Sequence, residues 1–358
     1  MKFARALMIA LALMVGVSTA GSSPAKAQEF TWRVATFDSE TGSYWNNFLA
    51  PYVKYVDIMT EGRVKLEPLP GGTLGSIFKI YEQVDDGLVE MAMMPPAFLG
   101  TKDPMNAIAL GYPSGLGVDS LIAWLYYGGG EEILQAHRAD KMGMHSMVLG
   151  AGPSEIFAHS HVPIETVEDL KGKKYRTLGN WAAVVSEKFG GSPTTVPGPE
   201  IYGLLEKKGI DMTEYSTPSE NYKLGYQEVA PYIIYPGIHA PAFAFELVAK
   251  TEKWDELPDD LKEKMTLAAR LATYEGLNRF IIADLDAMVS IQAGDNKLQE
   301  LSKEFQENAT ATSREWAIEK SEAAAADGNP YPMQAIESII AFQDKWRANS
   351  KYMVVDHR

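Results

Sequence analysis

The chain has 358 residues with 33 Lys and Arg, 47 Asp and Glu and no Cys. A formal net charge of -14 argues against a basic nucleic-acid-binding surface and against attraction to an anionic membrane. The length predicts about two domains, and the lack of Cys excludes disulfides, iron–sulfur clusters, thiolate zinc sites and thiol nucleophiles.

The N-terminus predicts a secretory signal peptide over residues 1–27. Lys2 and Arg5 accompany an apolar run of 12 residues at 6–17, which is too short to span a bilayer of about 30 Å. The Ala-Lys-Ala sequence at 25–27 supplies the small residues of a cleavage site. We therefore expect a periplasmic protein that begins at Gln28 after cleavage. A retained N-terminal anchor is the alternative.

Strands and helices alternate in the first part of the chain. Phe30 to Thr36 is rich in aromatic and β-branched residues and predicts a strand. Apolar residues recur at helical spacing over 45–59, before a second predicted strand at Val64 to Leu66. A helix over 77–86 leads to a third strand at Val89 to Met94. This alternation indicates an α/β fold.

The same order of elements returns later in the chain, which agrees with two similar lobes. The predicted elements there are a helix at Ile164–Lys171, a strand at Lys174–Thr177, a helix at Glu200–Lys207 and a strand at Ile210–Tyr215. We therefore predict a two-lobed α/β protein with hinge-connected lobes. Residues 28–150 are expected mainly in the first lobe and residues 151–250 mainly in the second.

Long helices dominate the remaining sequence. Leu261–Ile291 contains no Pro and predicts one helix, and Ser302 is the predicted N-cap of another that ends near Ala325. We assign 251–330 to long helices and a strand that cross back between the lobes. Residues 331–358 predict an extra C-terminal helix with one apolar stripe, which either docks on the body of the protein or forms a homodimer.

Motifs of familiar catalytic sites are absent from the sequence. It has no phosphate-binding loop, dinucleotide-binding fingerprint, nucleophile elbow or His-Glu-x-x-His zinc motif. His159 and His161 lie on one face of an extended segment, where they either share a metal or are solvated or hydrogen-bonded. We therefore predict that the protein is not an enzyme.

An ordered series of short motifs indicates a family. The motifs, in chain order, are Gly72-Thr73-Leu74-Gly75, Val167-Glu168-Asp169-Leu170, Lys174-Tyr175-Arg176, Pro199-Glu200-Ile201-Tyr202, Glu214-Tyr215 and Tyr235-Pro236-Gly237. This order resembles the extracytoplasmic solute receptors of tripartite ATP-independent periplasmic (TRAP) transporters. The resemblance covers roughly Phe30 to Lys320. The last two motifs resemble the subgroup that binds 2-oxo and 2-hydroxy acids with a metal ion.

The resemblance implies a function and partners. It implies a periplasmic binding protein that captures a small organic acid between two lobes and delivers it to TRAP membrane subunits. The C-terminal helix is similar to the dimerising tail of the metal-binding subgroup. An exported enzyme that acts on a carboxylate, and a ligand-sensing or interaction protein of the same fold, are the alternatives.

The resemblance also assigns roles to residues. Arg176 matches the arginine that binds the ligand carboxylate, a role that suits the paired donors of a guanidinium; a structural salt bridge is the alternative. Glu155 falls where the subgroup usually has Gln. Together with Glu214 and the backbone carbonyl of Tyr215 it would suit a hard cation such as Ca²⁺ or Na⁺.

Four further residues are predicted ligand contacts. Trp45 and Trp181 are either cleft walls or core residues, and Asn180 and His239 are polar neighbours of the site. His239 follows Tyr-Pro-Gly, where some family members have a carboxylate, so a metal ligand is either lost there or replaced by Glu155. Without a cation, one glutamate must be protonated or must pair with a cationic ligand group.

Overall fold

Two β-sheets with helices packed against them organise the protein. The computed structural model describes residues 28–100 and 102–353. Within these ranges one sheet has five strands and the other has six. The predicted two-lobed α/β fold is confirmed, and the predicted signal peptide lies outside the described residues.

Each sheet mixes parallel and antiparallel strands. In chain order the strands are β1 (Phe30–Thr36), β2 (Val64–Leu69), β3 (Met91–Met94), β4 (Met144–Gly152), β5 (Ala158–Ser160), β6 (Lys174–Arg176), β7 (Ser192–Thr194), β8 (Met212–Thr213), β9 (Tyr232–Tyr235), β10 (Phe243–Lys250) and β11 (Lys297–Glu300). The first sheet has the strand order β2-β1-β3-β10-β4 and the second has the order β11-β9-β5-β8-β6-β7. β1 lies parallel to β2 and β3, whereas β10 runs antiparallel between β3 and β4. Every residue of β3 is buried, as expected for a strand in the middle of a sheet that helices cover.

Helices cover these sheets and connect them. In chain order they are α1 (Ala50–Thr60), α2 (Ile80–Asp85), α3 (Met105–Ile108), α4 (Val118–Tyr127), α5 (Gly130–Met142), α6 (Gly179–Glu187), α7 (Gly198–Glu206), α8 (Pro218–Lys223), α9 (Tyr226–Val229), α10 (Thr251–Asp255), α11 (Asp259–Gln292), α12 (Lys303–Ala326) and α13 (Tyr331–Asn349). A π-helical segment at Trp45–Leu49 continues into α1, and a 3₁₀ helix at Val167–Leu170 replaces the predicted helix at Ile164–Lys171. None of the described helices is both long and apolar enough to cross a membrane.

The chain crosses between the lobes more than once. β10 lies in the first sheet, although its residues fall in the range 151–250 that was expected mainly in the second lobe. β11 pairs with β9 in the second sheet, so the 251–330 segment supplies the returning strand. We therefore propose that residues 28–150 and β10 form most of the first lobe and that the rest of 151–250 forms most of the second.

Helix α11 contacts both lobes. Its 34 residues confirm the long helix predicted at Leu261–Ile291 and span about 51 Å at 1.5 Å per residue. It packs against α1 and β4 in the first lobe and against α8 in the second. At Gly276 a Cβ atom would lie 2.2 Å from the ring of Phe48, so the helix backbone touches the first lobe directly. Nearer its C-terminus, Asp284 Oδ1 accepts a hydrogen bond of 2.8 Å from the Ser219 backbone N–H in α8.

The C-terminal helices pack against the body of the same chain. The Ser302 side chain accepts a 3.0 Å hydrogen bond from the backbone N–H of Phe305, which confirms the predicted N-cap of α12. In α13, Ile336 and Ile339 are buried in the main core, and the helix contacts α3, α4, α5 and α12. Docking within the chain thus accounts for the apolar stripe, and dimerisation through this helix stays a prediction.

A fully buried ion pair lies in the first lobe. Arg138 Nη2 is 2.7 Å from Glu246 Oε1, and neither side chain is exposed. The Tyr81 hydroxyl also donates to Oε1. The second carboxylate oxygen accepts from Arg138 Nε at 3.1 Å and from Ser146 Oγ at 2.6 Å. Each carboxylate oxygen therefore has two donors, the condition under which a buried charge is tolerated.

Removing one member of this pair is expected to be strongly destabilising. Arg138→Met should lower the free energy of unfolding by about 3–5 kcal/mol because it leaves a buried carboxylate unpaired. Adding Glu246→Leu should recover part of that loss. Urea denaturation of the wild type, both single variants and the double variant measures the coupling. Strictly additive losses in the double variant would contradict this coupling. Lys253→Ala is the control: Lys253 forms an exposed ion pair with Glu256, so its loss should change the free energy of unfolding by at most about 1 kcal/mol.

His159 is packed in the second sheet without hydrogen bonds. Its ring is fully buried, lies 5.7 Å from the ring of Tyr226, and has no partner at either nitrogen among the described residues. Burial lowers the pKa of His159 to about 3. The expectation of a solvated or hydrogen-bonded histidine is wrong for this residue, because the strand buries its ring. His161 does have a hydrogen-bond partner, the Leu205 carbonyl oxygen at 2.8 Å.

The buried His159 predicts acid sensitivity. The unfolded chain takes up a proton on this ring near pH 6.5, whereas the folded chain does so only near pH 3. Stability should therefore fall as the pH drops through this window, by about 1.4 kcal/mol per pH unit from this residue. His159→Phe should reduce the slope of stability against pH between 6 and 4 by that amount. Denaturation at several pH values measures the slope, and parallel curves for variant and wild type would refute the assignment.

Candidate functional site

A cavity of about 720 Å³ lies between the lobes. The first lobe lines it with the segments that follow β1 and β3, and the second lobe with those that follow β6, β8 and β9. Ligand sites commonly lie at the carboxyl ends of strands in α/β proteins. The predicted site residues that line this cavity are Glu155, Arg176, Asn180, Trp181, Glu214, Tyr215 and His239.

Arg176 ends β6 and is held rigidly. Its Nε and Nη2 donate to the Val196 carbonyl oxygen at 3.2 and 3.0 Å, and its Nη1 donates to the Glu214 carbonyl oxygen at 2.9 Å. Three of the five N–H groups of the guanidinium are thus engaged, which leaves one on each terminal nitrogen. Nη1 also lies 3.6 Å from Glu214 Oε1. The side chain can therefore bind an anion while it remains paired with Glu214.

Three side chains converge next to Arg176. His239 Nε2 lies 3.1 Å from Glu155 Oε2 and 4.0 Å from Glu214 Oε2. One ligand atom from each of the three lies within 4.8 Å of the others. The backbone N–H of Leu178 fixes the other oxygen of Glu214 at 3.0 Å. The geometry could hold a metal ion, and it adds His239 to the predicted pair of glutamates.

Burial favours neutral forms of these groups. It raises the pKa of Glu155 to about 8, with Arg176 opposing the shift. It also raises the pKa of Glu214, again against the attraction of Arg176. Burial lowers the pKa of His239 to about 4. At neutral pH the site therefore holds a neutral imidazole and a largely protonated Glu155, and a cation bound there would take the place of that proton.

The loop after β9 brings His239 to the glutamates. Glu155 donates its backbone N–H to the Ala240 carbonyl oxygen at 3.1 Å. At Gly237 a Cβ atom would lie 2.1 Å from the Glu155 carbonyl oxygen. The absence of a side chain at Gly237 is therefore what allows the two loops to touch. The sequence predicted His239 as a polar neighbour of the site and left open whether a metal ligand is lost at this loop or replaced by Glu155, but it gave no sign of this backbone contact.

The remaining predicted residues differ in position. Asn180 donates to the carbonyl oxygen of Ala107, which connects the lobes. Trp181 is buried, with its ring 6.4 Å from the ring of His239. The ring of Tyr215 lies against the Arg176 guanidinium, with 5.4 Å between the ring centroid and Arg176 Cζ. The role of the Tyr215 carbonyl as a metal ligand stays a prediction.

Trp45 lies outside the cavity lining. It is half-buried and packs against the core of the first lobe. Its neighbour Tyr44 lines the cavity instead, and the Tyr44 hydroxyl forms a 2.5 Å hydrogen bond with Ser216 Oγ of the second lobe. Two adjacent aromatic residues at 44–45 were the only feature of the sequence that predicted an aromatic cleft wall at this corner. It could not tell which ring faces the cleft, because the π-helical segment that begins at Trp45 changes the helical phase.

The contact at Gly237 can be tested by substitution. Gly237→Ala should destabilise the protein by about 1–3 kcal/mol, because the added methyl group forces the loop away from Glu155. Gly203→Ala is the matched control, since no atom lies within 4 Å of a Cβ there and the residue is inside α7. That change should be neutral or stabilising by up to about 1 kcal/mol. Urea denaturation measures both, and equal effects would contradict the assigned contact.

Solved structures share this architecture. A TRAP periplasmic solute-binding protein from Pseudoalteromonas atlantica, with bound sodium and pyruvate, matches 91% of this chain and 97% of its own, with a TM-score of 0.82 and 26% identity. A TRAP transporter solute-binding protein from Bordetella bronchiseptica matches 91% and 96%, with a TM-score of 0.83 and 23% identity. The second likeness supports the fold alone.

Sequence comparison gives the same family. The monocarboxylate 2-oxoacid-binding periplasmic protein of Nostoc sp. is 29% identical over 284 residues, which cover 78% of this chain and 76% of the relative. The family model for bacterial extracellular solute-binding protein, family 7 (DctP), matches residues 38–321. These findings confirm the resemblance to TRAP solute receptors that the ordered motifs indicate. The chain therefore belongs to the DctP family of bacterial extracellular solute-binding proteins.

Proposed function

We propose that the protein captures a small 2-oxo or 2-hydroxy monocarboxylate together with Na⁺ or Ca²⁺ and delivers it to the membrane subunits of a TRAP transporter. The main support for this proposal is the balance of charges in the cleft. Glu155 and Glu214 lie beside Arg176, so an added ligand carboxylate would be repelled by two glutamates if both were ionised. A bound cation offsets this repulsion.

The donor set fits this proposal. Carboxylate oxygens of Glu155 and Glu214 are suitable ligands for a hard cation. His239 would act through its N–H to Glu155 Oε2 and hold that oxygen in place. The cation would supply positive charge for the carboxylate and the 2-oxygen of the acid. Arg176 would bind the same carboxylate through its two remaining N–H groups.

The relatives support the choice of ligand. The Nostoc protein is a monocarboxylate 2-oxoacid-binding protein, and the Pseudoalteromonas structure contains sodium and pyruvate. Binding here needs no covalent step. The contacts Tyr44–Ser216 and Asn180–Ala107 join the two lobes, so a ligand that contacts both lobes would favour the closed arrangement. We also propose export with cleavage after Ala27 and a non-enzymatic role.

Calorimetry with pyruvate tests this function. Pyruvate should bind in the presence of Ca²⁺ or Na⁺ and lose most of its affinity when the protein is stripped of metal and held in a buffer free of both ions. Glu214→Gln should weaken pyruvate binding at least tenfold, because it removes a charged metal ligand that is 5% exposed. Arg176→Lys should also weaken it, because a lysine cannot make the paired contact.

Controls separate the possible outcomes. Glu307→Gln changes an exposed acid on α12 and should leave pyruvate affinity unchanged. Equal affinity with and without metal would overturn the role of the cation. The absence of binding by any 2-oxo or 2-hydroxy acid would overturn the function itself. Recovery of pyruvate intact after incubation supports a receptor, whereas its conversion would favour the alternative of an enzyme.

A further inference from the structure

One part of the cleft is lined by aromatic rings. Phe37, Tyr44, Phe78, Phe98 and Phe243, here called the aromatic chamber, all line the cavity. Their rings form a continuous wall: Phe37 lies 5.3 Å from Tyr44 and 6.1 Å from Phe98, which lies 4.8 Å from Phe78. Phe37, Phe78 and Phe98 are only half-buried. The chamber therefore leaves apolar surface available to a ligand.

The cavity is much larger than the polar site requires. Its volume is about 720 Å³. A six-atom acid such as pyruvate fills roughly 100 Å³, if it displaces three or four waters of about 30 Å³ each. Such a ligand would occupy the space beside Arg176 and leave the aromatic chamber filled with water. A ligand with an apolar side chain would remove that surface from water and gain affinity.

The charged residues at this part of the cleft already have partners. Lys223 Nζ donates to Glu220 Oε1 at 2.9 Å and to Ser43 Oγ at 2.7 Å. The two oxygens of Asp38 each accept a 2.9 Å hydrogen bond from a backbone N–H, those of Ser39 and Trp45. The acids Asp38 and Glu220 outnumber Lys223 here, so this part of the cleft would repel a second carboxylate on the ligand. The ligand should therefore be a monocarboxylate.

We infer that the ligand is a 2-oxo or 2-hydroxy monocarboxylate with an aromatic or branched apolar side chain, which fills the aromatic chamber while Arg176 holds the carboxylate. The inference rests on the proposed function, because that function places the carboxylate. It goes further in naming the class of side chain. Tyr44 would lie where the two parts of the ligand join, since it contacts Ser216 of the second lobe and Phe37 of the chamber.

A series of acids tests the inference. Calorimetry in the presence of Ca²⁺ compares pyruvate, 4-methyl-2-oxopentanoate, phenylpyruvate and the dicarboxylate 2-oxoglutarate. The branched and aromatic acids should bind about 10- to 100-fold tighter than pyruvate, which corresponds to burial of one apolar side chain. 2-Oxoglutarate should bind more weakly than 4-methyl-2-oxopentanoate. Pyruvate or 2-oxoglutarate as the tightest ligand would overturn the inference and leave the proposed function standing, whereas no binding by these acids or by their 2-hydroxy counterparts would overturn the proposed function.

Substitutions in the chamber locate the side chain. Phe78→Ala, in the short 3₁₀ helix at Ile77–Lys79, and Phe98→Ala should each lower the ratio of phenylpyruvate to pyruvate affinity about tenfold. A ratio of affinities is insensitive to a loss of folded protein. Tyr127→Ala removes an aromatic ring that is 88% exposed and outside the cavity, and it should leave the ratio unchanged. Unchanged ratios in both chamber variants would overturn the inference.

Discussion

Two carboxylates, one buried and one largely buried, lie near a single buried guanidinium and set the constraint on which this site depends. Ionising both Glu155 and Glu214 beside Arg176 is unfavourable without a further positive charge, because burial raises the pKa of each carboxyl. The alternatives are a proton on Glu155 or a cation between the glutamates, and these compete for the same oxygens. If a cation binds with the acid as proposed, it would displace this proton, and ligand binding would then depend on pH. Arg176 keeps its other donors on backbone carbonyls, so its position does not depend on the ligand.

The fold assembles this site from distant parts of the sequence. Arg176 ends β6, Glu214 follows β8 and His239 follows β9, while Glu155 lies between β4 and β5. The carboxyl ends of the strands therefore deliver the charges to one place. Close backbone contact at Gly237 then fixes the loop of His239 against that of Glu155. Backbone packing therefore positions the polar site, whereas contacts between aromatic rings form the aromatic chamber.

Local signals predicted local features well. The absence of Pro from Leu261–Ile291 and the cap at Ser302 are local features of the sequence, and both predictions are confirmed. The sheet that holds β10 could not be predicted, because its pairing with β3 and β4 joins residues far apart in the chain. The motif resemblance predicted Arg176 and both glutamates, which the structure brings together. It could not place Tyr44 rather than Trp45 in the cleft, since a π-helical segment alters the helical phase there.

Helix α11 restricts how the cleft can open. The backbone at Gly276 lies against Phe48, so the middle of the helix packs directly on the first lobe. The second lobe meets the helix farther along, where Asp284 accepts a hydrogen bond from the Ser219 backbone N–H. The C-terminal end of α11 is also anchored in the second lobe, where Ile291 packs against Ile156 and Ile233. Opening of the cleft therefore requires either a bend of α11 between Gly276 and Ile291 or the loss of one of these contacts.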